Sequence, residues 1–146
     1  MRRDSLALIA DEYARSFLGL PYLWGGDDPI AGFDCSGLCI EVLQGVGLFP
    51  HGADTTADGL WRKYLRVTVP RCGCLALFGS KERATHVAWV TRVYGEAVYI
   101  IEAGGGGSTT VDLAAAIKQN AYIRMRQIGG SGTRGDLLGY VDPFEV

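Results

Sequence analysis

Near residue 67 the apolar pattern changes period, and that change limits the folds open to this chain more than any other feature. Before it, apolar residues recur at helical spacing. Leu6, Ile9, Tyr13 and Phe17 follow a candidate N-cap at Asp4, and Gly19 and Pro21 stop the pattern. Asp34 can cap a second helix through Leu38, Cys39, Val42 and Leu43, which Gly45 and Gly47 end. A third helix is predicted from residue 55 to about residue 65, with Asp58 in a box-like relation to the cap and Leu60, Trp61, Tyr64 and Leu65 facing inward. After the change, residues 67–69, 75–78, 85–93 and 97–103 are short β-branched or aromatic runs between glycines, prolines and charges, and they predict consecutive antiparallel strands. Asp112 caps a short helix through Lys118. Residues 121–127 then alternate Tyr122, Arg124 and Arg126 against Ile123 and Met125, as a half-exposed strand does. Residues 128–135 read as a flexible loop, and Gly139-Tyr140-Val141-Asp142-Pro143 as a packed turn. The expected class is α+β, with N-terminal helices packed on an antiparallel meander sheet in one domain over residues 1–146.

Composition narrows the function classes. A chain of 146 residues, 48% of them apolar, can build one core without a metal or disulfide. A net charge of −2 provides no field to attract phosphate backbones, so nucleic acid is not an expected partner. Asp4, Asp11, Glu12 and Arg15 interrupt the apolar residues behind Arg2 and Arg3, so no Sec signal peptide is read. No apolar run approaches the roughly 20 residues of a spanning helix, and membrane insertion is not expected. Nothing in the pattern specifies an oligomer. The cysteines at 35, 39, 72 and 74 lack the density of a disulfide scaffold and are expected as reduced thiols, with no metal and no cofactor. One rival reading stays open. Cys35 and Cys39 lie i, i+4 on one helical face, and Cys72-Gly73-Cys74 could complete a four-thiolate zinc site.

The chemistry centres on Asp34-Cys35-Ser36-Gly37. A thiol attacks as its thiolate, and the first turn of a helix surrounds a sulfur there with unsatisfied N–H groups and the positive dipole end. Gly37, costly within a helix, fits a position where a side chain would obstruct the cysteine. His86, one of two histidines, heads an apolar strand and can serve as base; His51, in a loop-like stretch, is assigned no role. A three-residue hairpin loop containing Gly95 would put Glu102 opposite His86 or one diagonal away on the same face. The loop from Pro21 to Pro29 carries Tyr22 and Trp24, which suit a cleft wall. Asp27, Asp28 and Ser36 are further candidates for contacting substrate, the two aspartates through a free amine. The run 104–107 of glycines fits either a close backbone approach at a cleft rim or a mobile turn.

Tyr22-Leu23-Trp24-Gly25-Gly26, Phe33-Asp34-Cys35-Ser36-Gly37-Leu38, His86-Val87 and Ile101-Glu102-Ala103, in that order, resemble the NlpC-type family of papain-like cell-wall peptidases over about residues 6 to 126. The resemblance implies Cys35 as nucleophile, His86 as base, Glu102 as the third polar residue and Tyr22 near the oxyanion position. Glu102 stands where many relatives have histidine, and a carboxylate there can accept the imidazole Nδ1 proton and stabilise imidazolium. Arg71-Cys72-Gly73-Cys74-Leu75 departs from the Pro-Gly-Asp-Leu that such proteins often carry. The implied partner is a peptidoglycan stem peptide, cut at the bond between D-glutamate and a diamino acid. Without a signal peptide, the chain looks like a phage-encoded lysin or tail component, or a protein exported by another route, cytoplasmic until released to act at the cell wall. The same thiol chemistry also suits an acyltransferase or deamidase.

Overall fold

The computed structural model describes residues 2–128 and 136–145. Helix α1 (Arg3–Arg15) is followed by a small hairpin of β1 (Asp27–Asp28) and β2 (Gly32–Phe33), then α2 (Cys35–Gly45) and α3 (Ala57–Lys63). Strands β3 (Leu65–Val67), β4 (Leu75–Gly79), β5 (Ala84–Tyr94) and β6 (Ala97–Gly104) follow, then α4 (Leu113–Gln119), β7 (Tyr122–Gln127) and β8 (Asp136–Asp142). This is the expected mixture of helices and antiparallel sheet. The loop read at 128–135 lies, from residue 129 onward, outside the described residues. Among the described residues no helix is long and apolar enough to cross a membrane.

The sheet is not a pure meander. Its order is β3-β8-β4-β5-β6-β7, so the stretch expected to be a packed turn is a strand between β3 and β4. The glycine that suggested a turn there is needed by the strand. Gly139 has φ +150°, sits beside a register shift opposite Leu77, and leaves room for the Trp61 ring.

Both faces of the central strands are buried. Along β5, Val87 and Trp89 enter the larger apolar cluster with Leu38, Val42 and Leu43 of α2, while Ala88 and Val90 join Ala76, Phe78 and Ile100 in a smaller one. α1 meets this body through Ala7, Ala10 and Ala14, whereas Ile9, expected to face inward, is 49% exposed. Small side chains let the helix approach closely, and the buried stripe turns toward Asp11. Asp11 accepts from Trp89 Nε1 (2.8 Å), Arg92 (2.8 Å) and Arg15 (3.0 Å).

Capping explains the helix starts. Asp34 Oδ1 accepts from Gly37 N (2.7 Å), Thr56 Oγ1 from Gly59 N (3.0 Å) and Asp112 Oδ1 from Ala115 N (2.8 Å). α1 instead starts one residue before Asp4, without a side-chain cap. α3 is shorter than expected. Asp58 pairs with Arg62 (2.7 Å) and accepts from Ala84 N (3.0 Å), tying the helix to β5, and Leu65 already belongs to β3, 54% exposed.

Candidate active site

The capping of α2 places Cys35 at its first residue, half-buried, with Asp34 beneath it. Helix geometry leaves the Cys35 and Ser36 N–H groups without intrahelical acceptors, so they are free to meet an anion at the sulfur. Gly37 has a different task from the one expected. A Cβ there would lie 2.1 Å from the Gly26 carbonyl oxygen, so the glycine lets the loop of residues 21–26 rest on the helix start. That loop is held by Tyr22 N to Ala121 O (3.0 Å), Leu23 N to Phe33 O (3.1 Å) and Trp24 N to Thr110 O (2.7 Å). Burial raises the pKa of Asp34 above the ordinary carboxylate value, although the N–H groups of Gly37 and Gly25 and the Ser36 hydroxyl pull the other way.

His86 and Glu102 reach the same place by a register that the sequence suggested for a different reason. Tyr94 pairs with Ala97, so only Gly95 and Glu96 turn the chain, in place of the expected three-residue loop. With that turn alone, Glu102 would fall opposite Trp89 and share its face. A bulge at Thr91 shifts the register so that Trp89 pairs with Ile101, which returns Glu102 to the face of His86. The imidazole Nε2 and Glu102 Oε1 are 2.7 Å apart, with both residues 2% exposed or less. The carboxylate thus takes Nε2 rather than the expected Nδ1. Nδ1, buried and without a hydrogen-bond partner of its own, is the nitrogen left for the Cys35 thiol. Burial disfavours a charged ring, but the interactions with Cys35 and Glu102 outweigh it and raise the imidazole pKa above its usual value. For Glu102, burial pushes the pKa up, while His86 and Arg126 outweigh it and hold the carboxyl below its ordinary value. Arg126, whose Nε donates to Glu102 Oε2, was given no role in the sequence. The only sign of it was its place in the alternation of 121–127.

A cleft of about 520 Å³ opens over Cys35. Tyr22, Trp24 and Ser36 line it, together with Asp54, Arg83 and Gly107. Trp24 is 56% exposed at the rim, whereas Tyr22 is buried. Asp27 and Asp28 are not in this cleft. Both are exposed on β1, where pairing with β2 turns them away; Asp27 borders a separate small hollow, and Asp28 Oδ1 accepts from Ile30 N (2.8 Å). The glycine run serves close approach. A Cβ on Gly106 would lie 2.3 Å from Tyr22 Cδ1. Gly106→Ala is therefore expected to push the Tyr22 ring out of the cleft wall and to cost about 1–3 kcal/mol of stability, measured as a lowered unfolding midpoint.

The cysteines are dispersed. Cys39 is buried in the larger apolar cluster and Cys74 in the smaller one, and all four are free thiols. Among the described residues no three His, Cys, Asp or Glu side chains gather as metal ligands, which separates the two halves of the four-thiolate reading. Burial pushes the Cys39 thiol well up and that of Cys72 to about 11, so neither is a ready nucleophile.

Comparison with known proteins extends these observations. The sequence model of the NlpC/P60 family matches residues 19–127. Protein P54 of Enterococcus faecium is 37% identical over 144 residues, 98% of this chain and 22% of that protein. A probable endopeptidase of Mycobacterium tuberculosis is 40% identical over 57 residues, 38% of this chain and 14% of that protein. The chain thus spans less than a quarter of the length of these relatives. Among solved structures, an NlpC/P60 family protein from Bacillus cereus superposes with a TM-score of 0.72 at 20% identity, covering 99% of this chain and 41% of that one. The NlpC/p60 domain of the peptidoglycan hydrolase SagA gives 0.65 at 24% identity, covering 97% of this chain and 99% of that one. At these identities the structures speak for the fold alone.

Proposed function

This chain belongs to the NlpC/P60 family, and on that premise we propose that it is a cysteine peptidase that hydrolyses amide bonds in the stem peptides of bacterial peptidoglycan. One observation carries the reading. A buried histidine is paired on one side with a buried carboxylate and on the other with a helix-start thiol, and that thiol lines a cleft of about 520 Å³. The name of one relative, a probable endopeptidase, supports cleavage of a peptide bond, and the peptidoglycan substrate follows from the resemblance to the family.

In this mechanism His86 Nδ1 takes the proton of Cys35, and the thiolate attacks the scissile carbonyl carbon. The N–H groups of the first turn of α2 receive the developing oxyanion, with Tyr22 beside them. The imidazolium returns its proton to the leaving amine. Water, deprotonated by His86, then adds to the thioester and releases the acid. Glu102 holds the Nε2 proton throughout, which fixes the ring's tautomer and stabilises its charged form.

The bond we assign is the one between D-glutamate and the diamino acid, as the family resemblance implies. Mass analysis of purified muropeptides incubated with the protein, and separately with Cys35→Ala, tests both levels. Fragments ending in D-glutamate, released only by the intact thiol, carry the proposal; cleavage elsewhere keeps the peptidase and moves the bond. If the acyl group passes to an added amine while no acid forms, the protein is an acyltransferase, and if no fragment forms at all the hydrolytic reading is lost.

A further inference from the structure

Both oxygens of Glu102 are committed. Oε1 faces His86 Nε2 at 2.7 Å, and Oε2 accepts from Arg126 Nε, reached diagonally across the β6–β7 pair, where Arg126 stands opposite Ile100 and Glu102 opposite Arg124. The Arg126 side chain is 16% exposed and the carboxylate 2%, so water screens this pair little. The charged and titratable groups around the carboxylate are His86 from β5, Arg124 and Arg126 from β7, and Cys35 of α2, which acts on it through the imidazole. Arg124 lies directly opposite Glu102, but its guanidinium is spent on the carbonyl oxygens of Gly104, Asn120 and Tyr122.

We propose that Arg126 is a positioning residue for the Cys35–His86 pair: by gripping Glu102 Oε2 it keeps the carboxylate ionised and aimed, so that Oε1 takes the Nε2 proton and Nδ1 is left to the thiol. The inference rests on the thiol-peptidase reading above. A carboxylate this deeply buried tends to protonate when it has a single partner, and a neutral carboxyl stabilises an imidazolium far less than a carboxylate does. It can also rotate and present its own hydroxyl to Nε2, which would favour the tautomer with the proton on Nδ1 and leave the thiol without a base. Arg126 does not line the cleft over Cys35, so its effect should appear in how the pair titrates, beyond any change in maximal rate.

The test follows alkylation of Cys35 by iodoacetamide, read on its own peptide by mass spectrometry, across the pH range where carboxylates and imidazoles titrate. This measures the thiolate–imidazolium pair without requiring a substrate. Arg126→Gln is expected to move the acid limb of the alkylation rate upward by about one pH unit, while Arg126→Lys, which keeps the charge, leaves it near the wild-type position. Arg126→Met, which keeps the packing of the stem, repeats the test if the glutamine variant does not fold. In a Glu102→Gln background, adding Arg126→Gln should change the rate by less than about twofold. An unmoved acid limb in both neutral variants, or fully multiplicative effects of the two substitutions, would overturn the role of Arg126 alone. If wild-type Cys35 is alkylated no faster than in His86→Ala, the nucleophile assignment fails and Arg126 falls with it.

Discussion

Cys35→Ser is expected to lower the release of stem-peptide fragments by about 10⁴-fold or more while leaving the unfolding free energy within about 1 kcal/mol of the parent. The contrast follows from where the side chain sits. Cys35 is half-buried at the floor of an open cleft, so exchanging sulfur for oxygen disturbs little packing. The chemistry changes completely, because a hydroxyl holds its proton far more tightly than a thiol, and an imidazole arranged to form an ion pair with sulfur has no comparable partner in an alkoxide. Cys39→Ser provides the internal control. That thiol is fully buried one helical turn away, in the larger core, so its replacement should cost stability and leave kcat nearly unchanged. Paired kinetics and urea unfolding of the two variants check both halves. Equal loss of turnover in both would remove Cys35 from its assigned place.

Asp11→Ala is expected to be the most destabilising single change away from the cleft, costing about 3 kcal/mol at neutral pH. The carboxylate is 1% exposed and takes the Trp89 indole N–H at one oxygen and Arg92 and Arg15 at the other. The arginines are 38% and 33% exposed and can turn to water, so their loss is minor. Trp89 is completely buried and cannot, so most of the cost is an indole donor left without an acceptor, together with the cavity beside it. Asp11→Asn, which keeps an acceptor oxygen for Trp89, should recover about half. The pH dependence has a definite sign. Burial pushes the Asp11 carboxyl up, but Thr91, Trp89, Arg92 and Arg15 outweigh it and hold the carboxyl below its ordinary value. A depressed folded pKa stabilises the protein above the unfolded value, about 3.9, and the contribution is lost as pH falls through the folded one. Urea unfolding should therefore show the gap between parent and Asp11→Asn narrowing in acid. A gap that widens below pH about 4 would mean that the charge of Asp11 is not stabilising.

How far the sequence could be read depended on the range of the interaction. Asp34 and Asp112 act on N–H groups three residues away, so the starts of two helices were near enough in sequence to be legible, whereas α3 is capped by Thr56 and not by Thr55, from which the sequence started it. Of the inward stripe read at the N-terminus, Leu6, Tyr13 and Phe17 do meet the core and Ile9 does not, because periodicity follows large apolar residues while the structure also buries alanines and a charged residue whose partners lie in β5. β8 was hidden by Gly139, whose local meaning is a turn and whose actual setting is a distorted register facing Trp61. Cys35, His86 and Glu102 could be named, but the parity that joins the last two depends on a shorter turn and a bulge whose effects compensate. Arg126 lies a diagonal away across two strands, and Asp27 and Asp28 are carried off by a hairpin two residues long on each side. Neither placement is written in spacing along one chain.

The position of β8 also bears on the order in which the protein can assemble as it leaves the ribosome. β4, β5, β6 and β7 pair with neighbours in sequence and can form as synthesis proceeds. β3 cannot, because its neighbour in the sheet is β8, about half the chain away, and the second edge of β4 waits for the same strand. Cys35, His86 and Glu102 are thus all translated while two rows of backbone donors and acceptors remain open, the kind of edge on which nascent chains adhere to one another. Closing that gap falls to residues 136–142, whose arrival pairs both rows in one event.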